Sequence, residues 1–252
     1  MTEITIQAIQ VESRTRIVGE DLWESAAVEY GRMLELLRTL GDGDWTRPTE
    51  CTAWDVRAML GHLVGAAEGY ASPVEMIHQY RLGAKLRKRG EAGGQMPVDG
   101  ANAVQVRERA GATTAELIAR YERVIPKALH WRRRLRWIPA SMQDDGGRFT
   151  VRELFEVILT RDTWMHRVDI ARATGRLMVL TPEHDGRIVE DCVLDWAKKH
   201  HRPFSLVLGG PAGGRFEAGS GEPQTEIDAV EFVRALSGRG VHEEILGTRV
   251  VF

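Results

Sequence analysis

Apolar residues recur at three- and four-residue steps along most of the chain, and at two-residue steps only towards its ends. From Asp21 to Leu40 the series Leu22, Trp23, Ala26, Tyr30, Met33, Leu34, Leu37 and Leu40 repeats with the period of one helix face, and Gly41 and Gly43 stop it. A second helix is expected from Thr52, with Asp55 as the acid of its first turn, to about Tyr70. Pro73 permits a new start, and VEMIHQYRLGAKLRK continues until GEAGGQMPVDG, where glycine and proline interrupt any regular pattern. Another helix opens at Thr113 or Thr114, with Glu116 as capping partner, and runs through WRRRLRW; a kink is expected at Pro126 and a stop at Pro139. Thr150 with Glu153 starts the next, which carries Leu154, Ile158, Met165, Val168 and Ile170 to a left-handed stop at Gly175. Thr181, Pro182 and Glu183 then supply a cap, a first-turn proline and an acid for a helix through CVLDWAKKHH.

Towards the ends the period changes. Residues 1–17 alternate weakly, which suits either a short strand or an ordered arm. After Pro203, FSLVL alternates, GGPAGG turns, RFEAGSG and PQTEID follow, and AVEFVRAL forms a short helix. Helices first and strands last predict an α+β chain. A helical bundle over about 18–175 with a connecting helix to about 201 makes a first domain, 1–201, and a small α/β domain follows over 202–252.

Composition narrows the function. The 252 residues, 43% apolar, supply ample core, and 34 basic against 36 acidic residues leave no general attraction to nucleic acid or anionic membrane. WRRRLRW reads as a solvated helix end rather than a phosphate grip, and GGPAGG lacks the lysine and following helix of a phosphate loop. No apolar run of about 18 residues suggests a membrane span. Cys51 and Cys192 are too few for a disulfide framework, and MTEITIQAIQ has no secretory character, so the cytoplasm is expected and the partners are small molecules.

The candidate chemistry is dispersed. Asp162 and His166, four apart on one helix, share a face and can reach one cation; His62 of another helix can supply a third ligand. Three nitrogen or oxygen ligands leave an open position, the mark of a catalytic metal site. The plain alternative is a surface ion pair and a core histidine. Beside His62 lie Ala58, Gly65, Ala66 and Gly69, which either leave room for a metal, its water and part of a substrate or simply let helices approach closely. Asp169 can accept the second N–H of a ligating histidine, or pair with Arg167 or Arg172. Cys51 precedes a helix start but reads as an inert small residue.

PTECTAWDVRAMLGHL and LTRDTWMHRVDIARATGR resemble the two signature segments of the mycothiol-dependent maleylpyruvate isomerase family, among the DinB-like metal-binding four-helix bundles. FSLVLGGPAGG and DAVEFVRALSGR resemble its carboxyl-terminal domain, a small α/β fold similar to sterol-carrier proteins. The resemblance implies a divalent metal, most often zinc, on His62, Asp162 and His166, with Asp162 one methylene shorter than the family's glutamate. It also implies mycothiol as cosubstrate and Arg239 of LSGRG as the holder of an acidic substrate. The expected function is a metal-dependent enzyme using mycothiol or a similar low-molecular-weight thiol, an S-transferase or cis–trans isomerase acting on a small carboxylate-bearing electrophile. The alternatives are a thiol-independent, hydrolase-like metalloenzyme and a non-catalytic metal- or small-ligand-binding protein.

Overall fold

Helix α1 (Glu20–Arg38) follows the predicted period and buries Tyr30, Met33, Leu34 and Leu37. It belongs to a computed structural model that describes residues 8–144, 146–220, 224–240 and 248–252. Contacts group these into two units. Trp23–Asp144 and Arg148–Met178 form a helical unit; the described parts of Met1–Leu22 and Val179–Phe252, with Gly146 and Gly147, form the other.

In the helical unit, α1 packs with α2 (Val56–Ala71), α5 (Thr114–Leu135) and the helix ending in α7 (Leu159–Thr174). Their shared core includes Met33, Leu37, Met59, Leu60, Leu63, Leu117, Tyr121, Ile125 and Ile170. Burying each such leucine or isoleucine contributes about 1.5–3 kcal/mol.

Local chemistry sets the helix ends. Asp55, not Thr52, caps α2, its carboxylate accepting from the Ala58 amide at 2.7 Å. The preceding residues are held out of the helix by a bridge between Pro48 and Asp55 and a turn from Trp54 to Cys51. Thr113 and Glu116 cap α5 reciprocally, and Pro126 lies inside that helix. Thr150 and Glu153 do the same for α6 (Val151–Glu153), and Gly175 stops α7 with φ +68°.

Between α6 and α7 lies a π-helical turn, Leu154–Ile158, which sequence periodicity does not reveal. One extra residue in a turn rotates everything after it by about 100° and so sets which residues of α7 face inward. The Phe155 carbonyl there accepts from Arg132 Nε at 3.0 Å and Nη2 at 2.8 Å. Arg132 is therefore not part of a solvated helix end: it is fully buried, and also bonds Tyr30 Oη and Thr160 Oγ1. Its neighbours Arg133 and Arg136 lie over the Trp23 ring.

Helix α3 (Pro73–Lys88) packs against a helix the sequence pattern did not predict, α4 (Pro97–Arg109). Gly83 and Gly100 meet where the two backbones touch; a Cβ on Gly83 would lie 2.4 Å from the Gly100 carbonyl carbon. The glycines that read as breakers are what this helix pair requires. Strands β2 (Ser141–Asp144) and β3 (Gly147–Thr150) pair as a small unforeseen sheet.

The other unit is a mixed sheet in the order β1-β5-β4-β6, from β1 (Ile9–Gln10), β4 (Phe204–Gly209), β5 (Gly214–Ala218) and β6 (Gln224–Asp228). The weakly alternating amino terminus thus supplies an edge strand, parallel to β5; residues 1–7 of that segment lie outside the described residues. GGPAGG is the turn of the antiparallel β4–β5 pair. Helices α8 (Arg187–His200) and α9 (Ala229–Leu236) belong to this unit, Trp196 packing on Phe204 and Phe232 at ring-centroid distances of 4.8 and 5.5 Å. The helix expected to connect two domains therefore groups with the sheet.

Candidate metal centre

His62 sits midway along α2, a helix whose inward face is apolar, and is 5% exposed. Asp162 and His166 are one turn apart on α7, set there by the π turn and the Thr150 cap upstream. The structure brings all three together: one ligand atom from each lies within 4.8 Å of the others. His166 Nε2 is 3.2 Å from Asp162 Oδ1, and His62 Nε2 is 4.0 Å from Asp162 Oδ2. The two imidazoles meet edge to face, their centroids 5.0 Å apart.

Each histidine is held through its other nitrogen. His166 Nδ1 lies 3.0 Å from Asp169 Oδ2, and Asp169 is fully buried. Asp169 also accepts from Cys51 Sγ at 3.6 Å. His62 Nδ1 lies 2.8 Å from Gln105 Oε1. Trp54 stacks on His62, with ring centroids 4.7 Å apart and planes at 27°.

Two of the small residues beside His62 are packed over by neighbouring helices. A Cβ on Gly65 would sit 2.5 Å from Gln105 Cβ, and one on Gly69 would sit 2.8 Å from Gln79 Oε1. These glycines admit two glutamines from α4 and α3, the close-packing alternative.

Electrostatics divides the two histidines. Burial first, then the nearby His166, pushes His62 down to about 4 against the pull of Asp162 and Gln105, so it is neutral at pH 7. Burial alone would lower His166 too, but the Asp162 charge and hydrogen bond, with bonds to Asp169 and Cys51, raise it well above the ordinary histidine range. The result is two imidazole Nε2 atoms and a carboxylate facing one point. His62 Nε2 is buried and has no hydrogen-bond partner among the described residues, a costly state for a polar atom unless a cation takes its lone pair. The donor set of two nitrogens and one oxygen suits zinc and leaves a coordination position open.

Residues 26–171, more than half of the chain and including His62, Asp162 and His166, match the profile of the mycothiol maleylpyruvate isomerase N-terminal domain. The chain belongs to this family. It is thus an enzyme of an isomerase family. Among solved structures, it is similar to a mycothiol-dependent maleylpyruvate isomerase, with a TM-score of 0.56 and 15% identity over 90% of this chain and 93% of that one. A mutant of that isomerase, histidine replaced by alanine, gives a TM-score of 0.56 and 14% identity over the same shares. At such identities the likeness carries the fold, and it spans both units. No curated protein matches the chain.

Arg239, which the family resemblance singled out, lies in the other unit. It follows Gly238, whose φ is +84°, and its amide donates to the Arg234 carbonyl at 2.8 Å. It is half-buried. Sequence reasoning missed Trp54, Gln105 and Gln79. Trp54 carried a signal, since it lies in the PTECTAWDVRAMLGHL segment itself; Gln105 carried none, because α4 was not foreseen, and Gln79, on the foreseen α3, has its partners on α2 and α4.

Proposed function

We propose that the protein is a divalent-cation-dependent enzyme that uses mycothiol to isomerise a cis double bond in a small carboxylate-bearing electrophile. The observation that carries the reading is the buried Nε2 of His62, without a hydrogen-bond partner among the described residues and facing Asp162 and His166. His62, Asp162 and His166 would hold the cation, zinc being the best match to two imidazoles and a carboxylate. A bound cation there would supply the positive charge that favours the thiolate form of a thiol at neutral pH.

The chain's own residues do the rest. Asp169 and Gln105 fix the ring orientations of His166 and His62, and Trp54 covers one face of the site. Addition of a thiol sulfur to a conjugated double bond makes it a single bond, rotation follows, and elimination restores the double bond in the trans form with the thiol regenerated. Arg239, by family resemblance, would pair with the substrate carboxylate. The cytoplasm is the compartment that keeps such a thiol reduced.

The test is turnover of a cis-configured conjugated keto diacid such as maleylpyruvate by zinc-loaded protein, with and without mycothiol. The trans acid formed only with thiol present supports the reading. A stable thioether product makes the protein an S-transferase instead, and turnover unchanged by removing all thiols makes it a thiol-independent metalloenzyme.

A further inference from the structure

A continuous run of hydrogen bonds leaves His62 on the side away from Asp162. His62 Nδ1 is 2.8 Å from Gln105 Oε1, and Gln105 Nε2 is 2.8 Å from Gln79 Oε1. Gln79 Nε2 in turn lies 2.8 Å from the Gly65 carbonyl and 2.9 Å from Glu75 Oε1. Both glutamines are buried, at 4% and 2% exposure. Two amides buried in a bundle core cost stability unless every link is made, and here each link is made.

The far end dictates the direction of the whole run. The Gly65 carbonyl and the Glu75 carboxylate only accept, so the group of Gln79 that faces them must be its NH2. The Gln79 carbonyl then faces Gln105 and needs a donor, which Gln105 supplies with its own NH2. That turns the Gln105 carbonyl towards His62, and a carbonyl only accepts. His62 therefore carries its proton on Nδ1 and presents Nε2 as a bare lone pair. Nε2 is the same atom that is buried without a hydrogen-bond partner among the described residues.

We infer that the Gln105–Gln79–Glu75 run is a positioning device that locks His62 in its Nδ1–H tautomer and holds Nε2 ready as a metal donor. Its use rests on the metal centre proposed above; its geometry does not. The device also accounts for two glycines of α2: Gly65 and Gly69 are the seats into which Gln105 and Gln79 fit. Arg109, on α4 with Gln105, places Nη2 3.4 Å from Glu75 Oε1 and pairs with Glu68, which fastens the acceptor end of the run.

The experiment uses the full chain, with histidine labelled by nitrogen-15, in wild type, Gln105→Met and Gln105→Glu. Two-bond nitrogen–proton correlations on metal-free protein report the His62 tautomer, and competition with a chromophoric chelator reports zinc affinity. Wild type is expected to show His62 protonated on Nδ1. Gln105→Met keeps the length and loses the acceptor; zinc binding should weaken about 10- to 100-fold and the tautomer should no longer be fixed. Gln105→Glu keeps an oxygen for Nδ1–H, though not the NH2 that donates to Gln79, and should retain the tautomer and bind zinc more tightly than Gln105→Met. A residue that merely packs α4 on α2 would give the reverse order, since apolar Met suits a buried contact better than Glu. That reverse order, or an Nε2–H tautomer in wild type, overturns the inference. Gln79→Met, which breaks the second link, should move both readouts in the same direction and decides the matter if Gln105→Met does not fold. A wild-type protein that takes up no zinc would sink the proposed function alone, because the tautomer is read without metal.

Discussion

Two buried glycines of α2, one turn apart, should respond to alanine with opposite sign. A Cβ on Gly61 would find its nearest atoms, Arg109 Cβ, Arg57 Nη1 and Val106 Cα, at 3.7 Å, which is ordinary contact. A Cβ on Gly65 would lie 2.5 Å from Gln105 Cβ, 2.7 Å from its Cγ and 2.9 Å from its Cα. The shortfall is about 1 Å. One of those atoms is backbone, so a change of rotamer cannot relieve it and α4 must move. Overpacking of this kind costs about 1–3 kcal/mol. Displacing Gln105 loosens two hydrogen bonds worth about 1 kcal/mol each, and alanine's better helix propensity returns about 1 kcal/mol. Gly65→Ala should therefore destabilise by about 2–4 kcal/mol, while Gly61→Ala should be neutral or stabilise by up to about 1 kcal/mol. Denaturant unfolding followed by tryptophan fluorescence measures both, and zinc competition should show weaker binding only in Gly65→Ala. Equal stability of the two variants would refute the close approach of α4 to α2 and the seating of Gln105.

Zinc binding should release one proton per ion near neutral pH, because His166 holds a proton on Nε2 between Asp162 and Asp169 whereas His62, pushed down to about 4, is already neutral. Affinity should then rise about tenfold per pH unit below the His166 pKa, measurable by calorimetry in buffers of different ionisation enthalpy; a release of two protons or none contradicts the assignment. In metal-free protein the same groups oppose each other. The raised His166 stabilises the fold fully below its unfolded value near 6.5, and that contribution is lost as pH rises through its folded value. The lowered His62 favours the fold above about 6.5 and loses that contribution as pH falls towards 4, by about 3 kcal/mol at most. Acid titration of stability should flatten in His62→Gln, and an unchanged acid limb would count against the burial of that ring. Asp169→Asn keeps an acceptor for His166 but removes its charge, so zinc affinity should drop about tenfold by chelator competition, with no loss meaning that Asp169 does not tune the site. Gly175→Ala forces a Cβ into a left-handed residue at φ +68° and should cost about 1–2 kcal/mol in thermal unfolding.

What sequence could convey here was local. The series from Leu22 to Leu37, the reciprocal caps Thr113–Glu116 and Thr150–Glu153, and the stop at Gly175 each depend on residues within a turn or two of one another, and all appear in the structure. The misplaced start of α2 is a contest between Thr52 and Asp55 that a bridge to Pro48, several residues back, decides. Helix α4 was illegible because its glycine and proline are tolerated for reasons outside the segment: Pro97 occupies a first turn, and Gly100 touches Gly83 of another helix. The π turn likewise involves a distant partner, Arg132, taking the Phe155 carbonyl. Of the site, the spacing of Asp162 and His166 was readable from helix geometry, and Asp169 from its place three residues further on. The tie between His62 and Gln105 crosses 43 residues to an unforeseen helix and left no local trace.

Whether His62, Asp162 and His166 together bind one divalent cation decides the proposed function. Elemental mass spectrometry of purified wild-type protein and of the His62→Ala, His166→Ala double variant, after zinc reconstitution and with circular dichroism to confirm folding, tests it most directly. One zinc per wild-type chain and none in a folded double variant is the expected result. Wild-type protein without metal, or a double variant that keeps it, would rule out this metal centre.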